Sequence, residues 1–214
     1  MARPQPAVIE RLGAILNQQD GFVTTAQAKL RGIDDARLVR LVQDGYLERV
    51  LHGVYRVNFG ARVPSLVRED LYVRYLALDA GRLPWEPHPT VVASHESAAD
   101  LHRIGNLPAD VATFTSSTRR STTIGATRIR VASLDRDDWE FIERGRIPVT
   151  TVARTIVDLS ISNVGRDYVE RALDDALARR MVTSRQLKDV IDRRRRPSQQ
   201  WIADHARTTT GSAE

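Results

Sequence analysis

The chain has 214 residues, a formal net charge of +5 and no cysteine. It therefore forms no disulfide, no thiolate zinc site and no cysteine nucleophile. No run approaches the roughly 18 apolar residues of a membrane span, and the start MARPQPAVIERLG has no apolar signal-peptide core, so a cytoplasmic protein is expected.

Residues 6–18 carry a helical stripe of Val8, Ile9, Leu12, Ile15 and Leu16, ended by Asp20-Gly21. Thr24 with Gln27 three residues on is a capping box, and it opens a short second helix that stops near Gly32. Asp34 caps a third helix with apolar positions at Ala36, Leu38, Val39, Leu41 and Val42. Two β-rich runs, 46–50 and 54–57, flank Leu51-His52-Gly53 and read as a hairpin. Helix, helix, tight turn, helix, hairpin is the order of a winged helix-turn-helix.

A linker is expected over 58–64 and a helix over 65–79, followed by an irregular stretch with Pro84, Pro87 and Pro89. Strands are expected at 90–93, 111–116, 127–134 and 146–150. Helices are expected at 95–104, 152–161, 165–180 and 184–196, the last opened by Thr183 with Gln186. The expected fold class is α+β. A winged helix over 1–60 precedes a larger mixed α/β domain over 61–196 with short, mostly antiparallel strands, and a mobile polar tail over 197–214.

A winged helix predicts binding to double-stranded DNA. Arg37 and Arg40 share a face of the third helix and suit guanine O6 and N7. Thr24 and Thr25 at the second helix N-terminus suit a phosphate, with Gln27 and Lys29 extending the contact. Arg49, His52 and Arg56 on the hairpin would reach the backbone or the minor groove. A helical module used only for protein contacts would show the same apolar pattern.

The run from Ile9 to Tyr55, above all Leu47-Glu48-Arg49-Val50-Leu51-His52-Gly53-Val54-Tyr55, resembles the N-terminal domain of AbiEi-type antitoxins. Ala93-Ser94-His95-Glu96-Ser97-Ala98 and the run Ile147 to Leu159 resemble the C-terminal region of such proteins. The resemblance implies a repressor that binds inverted repeats in its own promoter. It also implies an antitoxin of a type IV system that counters a nucleotidyltransferase-like toxin, without a stable complex being required. The protein would act as a monomer or weak dimer, with no cofactor and no membrane partner. A stand-alone regulator without a toxin is an alternative, and a relative of longer proteins ending in a Vsr-like nuclease is another.

Enzyme signals are weak. His95 and His102 are seven residues apart, about 10 Å along a helix, too far for one metal ion to take both. Asp135, Asp137 and Asp138 form a small acidic cluster, expected as solvated loop acids. Arg154 and Asp158 are four apart, the spacing of an ordinary helix ion pair. The run Arg193 to Arg196 suits phosphates, RNA included, or simply complements the helix end.

Overall fold

The computed structural model describes residues 6–58, 68–142 and 147–211. Most of the expected linker, the start of the helix expected from 65, and Arg146 lie outside them. The chain divides into two compact units, residues 1–90 and 91–214.

In the first unit, α1 (Pro6–Gln18) buries Leu12 and Ile15 against α2 (Thr25–Leu30) and α3 (Asp35–Gln43). Gly32 has φ +71°, the left-handed turn that only glycine adopts without strain, and it lets α3 turn away from α2. A three-stranded antiparallel sheet has the order β1 (Phe22–Thr24), β3 (Val54–Val57), β2 (Leu47–Leu51). The hairpin β2–β3 was expected. The short β1 was not, because three residues show no alternation; its partner Val54–Arg56 supplies the ladder.

The helix expected at the head of the second domain packs on this sheet instead. This is α4 (Glu69–Leu78), whose Tyr72 meets Phe22 edge-on at 5.7 Å. Behind it, Asp79 is buried and accepts hydrogen bonds from Tyr75 and Thr90 while pairing with Arg82 at 3.1 Å. Burial pushes the Tyr75 phenol pKa well up, so it stays a neutral donor. The boundary at 60/61 therefore moves to 90/91. The apolar face of α4 needs a partner, and the sheet provides it.

The second unit has a five-stranded sheet of order β6 (Thr127–Val131), β5 (Ala112–Ser116), β4 (Val92–Ala93), β8 (Ile147–Thr150), β7 (Trp139–Ile142). The expectation of mainly antiparallel strands is corrected: β4/β5 and β7/β8 are antiparallel, while β4/β8 and β5/β6 are parallel. The parallel pair β5/β6 is joined by residues 117–126 without a helix, so the helical crossover that marks parallel neighbours in a sequence is missing.

Helices α5 (His95–His102), α6 (Val152–Ser160), α7 (Arg166–Ala178), α8 (Ser184–Arg193) and α9 (Gln200–Gly211) share one apolar core. Gly105 is required there: a Cβ at its position would come within 3.0 Å of Ala172 Cβ. The expected mobile tail is also corrected, because α9 buries Ile202, Ala203 and Ala206 in this core. Its three apolar contacts are spread over a polar sequence and gave little periodicity. No helix among the described residues is long and apolar enough to cross a membrane.

His102 is buried and its Nε2 donates to the Thr150 carbonyl at 2.7 Å; His95 is buried beside Ser94. Desolvation lowers both pKa values, against the opposing pull of the Thr150 carbonyl on His102 and of Asp158 and Glu96 on His95. The unfolded chain takes up these protons near pH 6.5 and the folded chain resists, so stability falls as pH drops below about 6.5. The urea midpoint of the second unit is expected to fall between pH 7 and pH 5. The fall should be shallower in His102→Gln, and an equal fall in both proteins would remove His102 from the account.

Candidate nucleic-acid interface

The nine residues expected to touch DNA fall into separate groups. Thr24 is the N-cap of α2; its hydroxyl accepts from Gln27 N at 3.1 Å and donates to the Ala80 carbonyl. Gln27 is buried, and its amide is fully occupied. Oε1 accepts from Thr24 N at 2.9 Å and from Gln19 Nε2 at 3.0 Å; Nε2 donates to Gln19 Oε1 at 2.9 Å and to Arg82 O at 2.6 Å. A primary amide has two acceptor and two donor sites, and all four are in use. The capping box was legible, and the structure gives both side chains partners within the fold. They close the turn.

Arg56 lies between Glu48 and Glu69, at 2.7 Å from the latter, and above the Phe22 ring. Its charge is neutralised within the fold by these two carboxylates. Lys29 pairs with Asp35 at 2.8 Å. Thr25 is half-buried, with its N–H on the Gly53 carbonyl at 2.9 Å, so it ties α2 to the hairpin turn.

Arg37, Arg40, Arg49 and His52 are exposed. Arg49 reaches His52 Nδ1 at the hairpin tip. Among the described residues, no ion pair or hydrogen bond engages the Arg37 or Arg40 guanidinium, and Asp34, the N-cap, holds the Arg37 backbone N–H at 2.8 Å. Helix geometry also adds residues the sequence reading missed. Leu38 and Leu41 are fully buried and mark the inward side of α3. At about 100° per residue, Ala36, Val39, Arg40 and Gln43 lie on the outward side and Arg37 lies on its flank. All five are exposed. Val39, one of the apolar positions of this helix, lies outside the inward stripe of Leu38 and Leu41 and is half-exposed.

A helix-turn-helix with a β-hairpin wing and an exposed cationic third helix is thus in place. Residues 10–58, from within α1 to the end of the wing, match the family model described as Transcriptional regulator, AbiEi antitoxin. This segment is similar to AbiEi-type regulators. A comparison with curated proteins finds no match to the chain. The matched residues include the α3 face and the wing tip, the two places that remain exposed and basic.

The second unit holds a different arrangement. Arg154 is wholly buried; its Nη1 lies 2.6 Å from Asp138 Oδ2 and its Nε 2.8 Å from Asp158 Oδ2. Arg193 approaches Asp138 Oδ1 at 3.1 Å, and Arg194 approaches Asp158 at 3.9 Å while donating to Ser133. The pair expected as an ordinary i,i+4 helix ion pair is the centre of an interior network tying α6, α8 and the turn at Arg136–Asp138. Half of the basic run Arg193 to Arg196 points into it. Asp138 is buried with both carboxylate oxygens facing arginines, so it is not a solvated loop acid; Oδ1 lies near Arg193 but accepts no hydrogen bond. Asp137, Glu140 and Asp189 stand apart from it on the rim of a groove of about 410 Å³ floored by Val152, Val182 and Val190. Among the described residues, no three His, Asp or Glu side chains are grouped to hold a metal ion.

Proposed function

We propose that the protein is a DNA-binding autorepressor and antitoxin of a type IV, AbiE-like system. Its winged helix binds inverted repeats in its own promoter and blocks the polymerase, and its second unit counters a nucleotidyltransferase-like toxin without catalysis of its own. The supporting observation is the α3 face, where Arg37 and Arg40 stand exposed and unengaged among the described residues, within a segment similar to AbiEi-type regulators. Inverted repeats bring two copies together on the DNA, as monomers or a weak dimer. The family match ends at residue 58, and this favours keeping a second reading, a stand-alone regulator. Deletion in the native host separates the two, because an antitoxin gene is hard to lose while its neighbour remains.

Fluorescence anisotropy with the DNA upstream of the gene, against scrambled DNA and across a salt series, tests the first part. Selective binding with a salt slope of several phosphates is expected. Arg40→Ala should cost about 1–3 kcal/mol and relax selectivity; Arg37→Ala should weaken binding to all sequences and lower the slope by about one. Arg56→Ala should change affinity little. Equal binding to both DNAs would overturn the repressor reading.

A further inference from the structure

We infer that Val39 is a specificity-determining residue that reads the C5-methyl group of a thymine in the major groove. The inference rests on the DNA-binding reading above and deepens it. Val39 is half-exposed in the middle of α3, between the two turns that carry Ala36 and Gln43. A branched apolar side chain at the centre of an outward helix face gains little packing in the free protein, and it gains when something apolar covers it. Major-groove edges offer one apolar group, the thymine methyl.

The neighbours fit this occupant. Ala36, three residues before Val39, presents only a methyl, so the helix can approach base edges closely. Gln43, four residues after it, is exposed and carries the amide that pairs with adenine N6 and N7. An A·T pair thus meets an amide for its adenine and an apolar surface for its thymine. Arg40 beside them supplies the fork for guanine. Asp35, the acid at the start of the helix, is paired with Lys29 at 2.8 Å, which limits its repulsion of phosphate. A protein-docking role for the face would pair Val39 with the exposed Leu30 of α2 instead. The arginines on the same face favour DNA.

The test begins with the full chain and a random duplex library, from which the preferred site is selected. Each thymine of that site is then replaced in turn by deoxyuridine, which removes the methyl alone. One replacement should weaken wild-type binding about fourfold, the value of one buried apolar carbon. Val39→Ala should bind the unmodified site less tightly and lose nothing further on that replacement. Selective binding that survives every replacement within twofold would overturn the role of Val39 and leave the repressor reading intact. Absence of site-selective binding would overturn both. The deoxyuridine series uses the wild-type chain, so its outcome does not depend on the fold of a variant.

Discussion

Arg154→Met is expected to destabilise the second unit by about 3–5 kcal/mol, because it leaves Asp138 and Asp158 buried without their closest cation. Arg193 and Arg194 remain nearby, but at 3.1 Å and 3.9 Å they do not replace the two short contacts. The measurement is hydrogen exchange by mass spectrometry in a urea series, which reads peptides of the two units separately. Protection should fall in α6, α8 and β8 and stay unchanged in residues 6–58. Removing charges on both sides together, Arg154→Met with Asp158→Leu, should cost less than the sum of the single changes. For contrast, Arg166→Ala breaks an exposed pair with Glu170 and should change stability by no more than about 1 kcal/mol. A loss below about 1 kcal/mol in Arg154→Met would show that the network is not what holds these helices together.

Gln27→Leu is expected to cost the first unit about 3 kcal/mol or more. The substitution removes at once the acceptor of the Thr24 N–H and the donor to the Gln19 amide oxygen and the Arg82 carbonyl, and an unmade buried hydrogen bond costs about 1–3 kcal/mol each. The capping box of α2 goes with them. The same exchange experiment decides between this role and the one suggested by sequence position. If Gln27 touched phosphate, the variant would keep its protection and lose affinity for DNA. The structure predicts the reverse order: protection falls first, and affinity falls only as the folded fraction does.

These residues also show where sequence reasoning runs out. The elements of the winged helix were legible because each has a local cause: the Leu12, Ile15 stripe of α1, the Thr24 and Asp34 caps, Gly32 at the turn, and the β-branched runs around Gly53. The helices α6, α7 and α8 were legible for the same reason, with Thr183 and Gln186 forming the expected box. Arg40 and Arg37 were legible as cationic positions on the third helix, since a helical wheel needs no tertiary contact.

What the sequence alone determined, then, is the set of local elements, the absence of cysteine chemistry and the chain order of a winged helix. The tertiary structure decided which side chains are free. Thr24, Gln27 and Arg56 have the right chemistry for DNA, yet partners 8 to 56 residues away occupy them. Arg154 and Asp158 look like an ordinary helix ion pair until Asp138, 16 residues upstream, closes over them. The placement of α4 on the first unit, the mixed strand directions and the docking of α9 are likewise long-range choices. Hydrogen bonds and ion pairs form between groups that chain spacing does not bring together, so only the folded arrangement shows which polar groups remain to meet a partner.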